Sequence, residues 1–398
     1  MSQKIANLTF NDISDEFNIH FELHDAHPSL ANAIRRMILS DVETIGFRTE
    51  PLENSEINII KNTSSLHNEF LLHRIGMIPV NYDDVDNYNP DRYRYIINVT
   101  NDTSQIKEVT TKDFQVIDTE MNDGEGGIVN SEDFFPKNQE TGEYILITKL
   151  KPNLEGMGET IHLEGKAIKS SGSENARWQP TSCVVYSNKI DQTKAKKALE
   201  EFLEKKKIEY ADTFADNREK LENEFNISEI ERYYITDDRD TPSVFNFNIE
   251  SVGILKSHII LLRSLTLLNY KLIKLNKNLN LIKTKSNTTE LSFTQSDTVM
   301  KGFDLNIPNE NHTLGFLIQT YIEKYFDKSQ VTFIGYFNPH PLKDNIVIRI
   351  STIENNKDIA IDVILKCISM IQKDIQNLKK QTSQKFGIEK KTFTVKRK

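Results

Sequence analysis

Two adjacent arginines, Arg35 and Arg36, are the side chains in this sequence of 398 residues best placed by type and spacing to do chemistry, and that chemistry is recognition. They lie on the polar edge of H-P-S-L-A-N-A-I-R-R-M-I, residues 27–38. A guanidinium fork matches a carboxylate, so the pair suits either a carboxylate across an interface or a solvated face. His27 and His312 each precede a segment with helical spacing. A metal or catalytic role would need convergent partners, and both are read as turn and capping residues. Asp83, Asp84 and Asp86 collect carboxylates but lack the alternating spacing and closing glutamate of a calcium loop, which leaves a solvated acidic loop. G-E-G-G at residues 124–127 has no strand before it and no lysine after it, so it is a flexible turn and not a phosphate cradle. Trp178, the one tryptophan, has the bulk to anchor a core or an interface. The two cysteines, Cys183 and Cys367, are too few for a disulfide framework or a four-cysteine metal cluster. No nucleophile–base arrangement is readable, and no cofactor is expected.

The elements that must position these residues are written twice. Residues 7–23 alternate, with Phe17, Ile19, Phe21 and Leu23 in period two. Then Leu30, Ala33, Ile34, Met37 and Ile38 recur at three-and-four spacing, the apolar face of a helix, and T-I-G-F follows at 44–47. Near the C-terminus N-H-T-L-G-F-L-I-Q-T-Y-I occupies 311–322 and F-I-G-Y occupies 333–336. Leu30 falls on Leu314, Ile34 on Ile318, Ile38 on Ile322 and Gly46 on Gly335, and each copy runs on into an apolar strand, 57–60 and 346–350. Such a duplication predicts a pseudo-twofold dimer tied by a linker. Leu314, Leu317, Ile318, Tyr321 and Ile322 stripe one helix. Ile364, Cys367, Ile368, Ile371 and Ile375 stripe a last helix over about 359–380, expected to bury itself against the matching helix at 256–279 of the first copy. The predicted architecture is α+β. A first dimerisation unit covers 1–51 and 184–282, interrupted by a β-rich insert at 52–183. A linker and the start of the second unit cover 283–301, and the second unit covers 302–398. Residues 193–223, dense in Lys and Glu, read as a solvated helical excursion.

Composition narrows the function classes. A formal net charge of −8 argues against wrapping nucleic acid, which requires a basic face. The basic cluster at 390–398 reads as a solvated tail. No hydrophobic signal core opens the chain. The apolar stretch at 254–275 is broken by Lys256, His258, Arg263 and Lys271, so it reads as an amphipathic helix and not a membrane span. Low cysteine content suits a reducing, intracellular compartment. Abundant Asn, Ile and Lys reflect an A/T-rich genome.

The same segments carry a family resemblance. S-L-A-N-A-I-R-R-M-I, N-E-F-L-L-H-R-I-G-M-I-P-V at 68–80, A-R-W-Q-P at 176–180 and F-N-F-N-I-E-S-V-G at 245–253 resemble, in order, the markers of the alpha-like RNA polymerase subunit. That subunit is called subunit 3 in eukaryotic polymerase II, D in archaea and alpha in bacteria. N-H-T-L-G, G-Y-F-N-P-H-P-L and I-V-I-R-I are similar to its small partner, subunit 11 or archaeal L. The matches span most of the chain, while residues 102–143 match nothing.

The resemblance implies a fused heterodimer, as in some large DNA viruses that encode their own polymerase, located in a cytoplasmic viral factory and packaged in the virion. It implies a non-catalytic platform for two large catalytic subunits and for small adaptors equivalent to subunits 10 and 12, with little or no direct nucleic-acid contact. By resemblance, Arg35 and Arg36 match the family's paired arginines, and Glu69, His73 and Arg74 match its second motif. Both motifs are expected to face the second-largest subunit or the adaptors. Leu30, Ile34, His312, Leu314, Ile318, Tyr321, Ile364, Ile368 and Ile371 would form the seam. Cellular eukaryotic members carry a zinc-binding cysteine cluster in the insert; with one cysteine there, Cys183, that site is absent. Two rival readings stay open: a mimic that diverts host polymerase assembly, and an enzyme or nucleic-acid binder on a borrowed fold.

Overall fold

The computed structural model describes residues 4–11, 15–82, 84–121, 126–138, 141–152, 158–209, 214–284, 290–296 and 301–388. These fall into two compact units. The first holds residues 4–37, 183–249 and 264–388; the second holds Ile38–Ser182 and Glu250–Arg263.

The first unit is built on two four-stranded sheets with one topology. Numbered in chain order, β1 (Asn7–Phe10), β2 (Asn18–His24), β14 (Phe245–Ser251) and β13 (Thr181–Asn188) lie in that order in one sheet. In the other, β15 (Ser292–Gln295), β16 (Phe303–Pro308), β18 (Asn345–Thr352) and β17 (Val331–Phe337) repeat the arrangement, antiparallel throughout. After the second strand in each case comes a short helix, α1 (Pro28–Ser40) or α6 (His312–Tyr325). After β14 or β18, the last strand of each repeat along the chain, comes a long one, α5 (Ser257–Lys283) or α7 (Lys357–Lys385). The duplication read in the sequence is therefore a duplication of fold.

Local chemistry explains the elements. Alternation on β16 buries Phe303, Leu305 and Ile307, the pattern of a strand with one covered face. Asn311 caps α6 by accepting from the Thr313 N–H at 3.0 Å, and Asn356 caps α7 through the Asp358 N–H at 2.8 Å. Pro28 opens α1, where its missing N–H is harmless. In the first sheet, Phe21 stacks on Phe247 with centroids 5.0 Å apart.

Several expectations need correction. Gly46 and Gly335 match in sequence but not in place, since T-I-G-F forms β3 (Glu43–Gly46), paired with β12 (Ile168–Ser171) and β5 (Pro79–Val80) in the second unit. Likewise the apolar strand at 57–60 becomes β4 (Ile57–Asn62) of the insert. The true counterparts of β18 and β17 are β14 and β13, which the chain reaches only after the insert. Contacts accordingly open the second unit at Ile38, upstream of residue 52, because β3 belongs to its sheet. Within the segment 283–301, read as a linker and the start of the second unit, lies β15, which pairs with β16. The charged segment is a hairpin of α3 (Gln192–Glu209) and α4 (Phe214–Ser228) with a core of its own. There Leu203, Leu221 and Phe225 are buried and Phe202 meets Phe225 at 5.6 Å.

The second unit centres on a five-stranded sheet in the order β4, β11 (Thr160–Gly165), β6 (Tyr93–Thr100), β8 (Gln115–Asp118) and β9 (Gly127–Val129). A two-stranded ribbon of β10 (Leu146–Leu150) and β7 (Lys107–Thr110) accompanies it, along with the helix α2 (Asn68–Gly76). Phe47, Tyr95, Phe114 and Phe135 pack as a ring cluster, with Phe114 and Phe135 at 4.7 Å. Asn101, fully buried, brings its Nδ2 within 3.0 Å of the carbonyls of Gln105, Leu150 and Lys151. These contacts join the turn after β6 to the end of β10. Of the acidic and glycine-rich loops singled out above, Asp83, Gly124 and Glu125 lie outside the described residues, as does the basic tail. Asp86 pairs with Arg263 at 3.3 Å.

Candidate subunit interface

Within the first unit, α1 and α6 meet along a buried seam. Leu30, Ile34, Leu314 and Ile318 are each at most 2% exposed. Ser29 Oγ lies 2.7 Å from Thr320 Oγ1 across the seam. His27 does cap α1: its Nδ1 accepts from the Ser29 N–H at 3.2 Å and lies 2.9 Å from Ser29 Oγ. Burial, helped by repulsion from Lys324, lowers the His27 pKa to about 4, so the ring is a neutral acceptor near neutrality. Beside it, Lys324 of α6 pairs with Asp237 at 2.9 Å. Arg239 Nη1 donates to the Glu323 carbonyl at 2.8 Å, so the loop before β14 grips the end of α6. His312 is the first residue of α6, exposed, with its ring 5.7 Å from that of Tyr336.

The paired arginines take different partners. Arg35 turns back onto Asn32, with Nε and Nη2 donating to Oδ1 at 3.2 and 2.9 Å. Arg36 reaches the second repeat, where its Nε donates to Thr313 Oγ1 at 2.8 Å.

The last helix has a partner that periodicity did not indicate. Ile364, Ile368 and Ile371 are fully buried, and α7 packs on α6 and on β1. Asp374, only 2% exposed, accepts from Tyr321 Oη at 2.7 Å and from the Ala6 N–H at 3.1 Å. Burial beside that carboxylate pushes the Tyr321 phenol well above its ordinary range. Asn377 Nδ2 donates to the Ala6 carbonyl at 2.8 Å, and the Leu8 N–H donates to Gln381 Oε1 at 2.7 Å. An N-terminal strand is thus clasped by the C-terminal helix. The one signal for it was an acid, Asp374, set in an otherwise apolar stripe. Lys283 of α5 pairs with Asp362 of α7 at 2.5 Å.

In the second unit, the other motif forms α2. Leu71, Leu72 and Ile75 are buried, while Phe70 is 68% exposed, Met77 57%, and Glu69 and His73 also face solvent. Arg74, though exposed, reaches across to β10: its Nε and Nη2 donate to the carbonyls of Ile147 and Leu146 at 2.8 and 2.7 Å, so it anchors the helix on that strand. A further residue, Arg177 of A-R-W-Q-P, packs against Gly76 at the C-terminal end of α2. Its Nη1 donates to Thr49 Oγ1 at 2.6 Å and its Nη2 to Glu50 Oε2 at 3.0 Å. The guanidinium fills the space left by Gly76, where a Cβ would lie 2.2 Å from Nη1. The neighbouring Trp178 is buried, with its carbonyl held by Thr44 Oγ1 at 2.9 Å and its indole against Gly46. It is a core anchor.

Two family models match the chain, both described as the RNA polymerase Rpb3/Rpb11 dimerisation domain. One covers residues 20–272 and the other 303–381, the two fold repeats just described. The chain belongs to this family. Among its relatives, a Tetrahymena thermophila protein named "Conjugation stage-specific protein" is 30% identical over 189 residues, covering 44% of this chain and 56% of that protein. The DNA-directed RNA polymerase II subunit RPB3 of Schizosaccharomyces pombe is 27% identical over 288 residues, 69% of this chain and 88% of that subunit. The Rpo3 subunit of Thermoplasma volcanium is 25% identical over 195 residues, 48% and 66% of the two chains. A cysteine zinc cluster does not fit the residues present. The insert has one cysteine at its edge, and among the described residues no group of three or more His, Cys, Asp or Glu is placed to hold a metal. Among those residues, too, no helix is long and apolar enough to cross a membrane.

Proposed function

We propose that this chain is the non-catalytic assembly scaffold of a multisubunit DNA-directed RNA polymerase, uniting in one polypeptide the roles of an Rpb3-like and an Rpb11-like subunit. The observation that carries this reading is the duplicated sheet-and-helix unit, whose two copies are joined by a buried seam and both match the dimerisation-domain family. Fusion supports a permanent pair, because it replaces a bimolecular encounter with an intramolecular one at high effective concentration. The seam around Arg35 and Arg36, and the exposed Glu69–Phe70–His73–Met77 strip of α2, are the surfaces on which the two large catalytic subunits and the adaptors equivalent to subunits 10 and 12 dock. Net charge of −8 supports contact with protein partners over nucleic acid. The fusion and the A/T-rich composition support a polymerase encoded by a large DNA virus, assembled in a cytoplasmic factory and packaged in the virion.

Reconstitution tests the reading. The two large subunits of the same genome, mixed with and without this chain, are run on size exclusion and assayed for promoter-independent RNA synthesis. The proposal expects a stable, active complex only with the chain present, and no synthesis from the chain alone. An equally stable and active pair of large subunits without it would overturn the proposal.

A further inference from the structure

The five-stranded sheet of the second unit ends in a cavity of about 410 Å³, where Tyr93 of β6 sits opposite Asp118 of β8. Tyr82, Tyr93 and Phe134 give it aromatic walls, with ring centroids 5.9 Å apart for Tyr82 and Tyr93 and 5.1 Å for Tyr93 and Phe134. Asp84, Asp118 and Asp133 give it carboxylates, and no Lys, Arg or His is among the described residues that line it. The walls are pinned together by Asn81, whose N–H donates to the Phe134 carbonyl at 2.9 Å and whose Nδ2 donates to the Asp133 carbonyl at 3.3 Å.

The chain itself shows what such a surface holds. The Arg92 guanidinium lies over the Tyr93 ring, 5.1 Å from its centroid, while Nε and Nη2 donate to Asp118 at 3.0 and 2.7 Å. Ring face and carboxylate act on one cation together. Arg92 meets the charge of Asp118, but Asp84 and Asp133 are exposed and form no ion pair among the described residues. Asp84 accepts from a neutral amide, Asn87 Nδ2, at 2.9 Å, and the Tyr82 ring beside them is half-buried. The cavity falls within the range of about 300–1,000 Å³ usual for a bound ligand. A metal ion does not suit it, because among the described residues no three or more His, Cys, Asp or Glu converge to hold one, and carboxylates repel a phosphate. An organic cation does suit it. A planar, weakly hydrated guanidinium matches a ring face and a carboxylate better than a compact ammonium does.

We propose that this cavity receives one arginine side chain of a partner protein, held by the Tyr82 ring and the Asp84 and Asp133 carboxylates. The site lies wholly within the second unit and owes nothing to the scaffold reading. Asp84, by sequence part of a solvated acidic loop, thereby becomes half of a recognition pair.

The test titrates the full chain into dye-labelled pentapeptides and reads fluorescence anisotropy at low salt. The probes are Gly-Ser-Arg-Ser-Gly and the same peptide with lysine or with citrulline, the neutral isostere of arginine, at its centre. Citrulline should weaken binding by about tenfold or more and lysine by about threefold. Joint Asp84→Asn and Asp133→Asn should weaken the arginine peptide by about tenfold. Joint Glu200→Gln and Glu201→Gln removes as many charges from the exposed face of α3 and should leave it unchanged, which separates the site from the net charge of −8. Tyr82→Phe should keep binding and Tyr82→Leu should lose about threefold or more. Asp84 and Asp133 are on the surface, so their pair stays informative if Tyr82→Leu lowers the melting temperature. No binding of the arginine peptide, equal binding of either counterpart, or equal loss from the α3 pair overturns the site. The scaffold reading survives each of these results, since reconstitution tests it separately.

Discussion

His27 is held neutral in the fold, and the consequence is a direction of pH dependence. Burial and Lys324 lower its pKa from 6.5 to about 4. Between those values the unfolded chain binds a proton that the fold does not, so stability from this group is complete above pH 6.5 and is lost as the pH falls towards 4. Urea midpoints measured across that window should fall more steeply for the parent than for His27→Gln; parallel slopes would contradict the assignment. A second residue-scale prediction concerns Gly76 and Arg177. Gly76→Ala places a methyl group against a buried guanidinium and against Thr49 Oγ1, at a cost of about 1–3 kcal/mol. Arg177→Ala should lessen that cost, so thermal melts of the double-mutant cycle should show coupling of about 1 kcal/mol; simple additivity would remove the interlock. At this scale the sequence was partly legible. The capping role of His27 could be read because a histidine before a proline-led helix has few other uses. The anchoring of Arg74 on β10 could not, because its carbonyl partners there are distant in sequence and carry no signature of their own.

At the scale of elements, the two short helices occupy equivalent places in the two sheets, are tied by Ser29 on Thr320 and Arg36 on Thr313, and bury their apolar stripes. Leu314 is 2% exposed. Leu314→Asp buries an unpaired carboxylate and should cost several kcal/mol, seen as loss of a cooperative melt and of soluble protein. A soluble variant melting with the parent would remove Leu314 from the seam. The clasp of β1 on α7 is milder. Tyr321→Phe removes one donor from the buried Asp374 carboxylate and should destabilise by about 1–3 kcal/mol, with faster amide exchange at Ala6 and Leu8 as the local readout. Unchanged exchange there would uncouple the clasp from Tyr321. Helices and alternating strands were legible because period and burial coincide in them. The pairing of strands was not: T-I-G-F looks alike in both copies, yet one copy lies in the insert's sheet and the other in the repeat's own. Register in the first repeat is completed by a strand the chain reaches about two hundred residues later, and loop length alone places little thermodynamic limit on such an excursion.

At the scale of the whole molecule, one chain carries two copies of a dimerisation fold, an insert tied by aromatic packing and by the buried Asn101, and a charged helical hairpin. Fold class and family were legible because the markers occur in family order along most of the chain. The β-rich character of the insert was legible as well; the pairing order of its strands was not, since residues 102–143 offer neither repeat nor motif and nonlocal contacts such as those of Asn101 help set it.

The most direct test of the scaffold claim is a pull-down of the tagged chain from its source, with partners identified and quantified by mass spectrometry. The account predicts two large polymerase subunits from the same genome in amounts equal to the chain. Recovery of host polymerase subunits alone, or of no polymerase subunit, would contradict it.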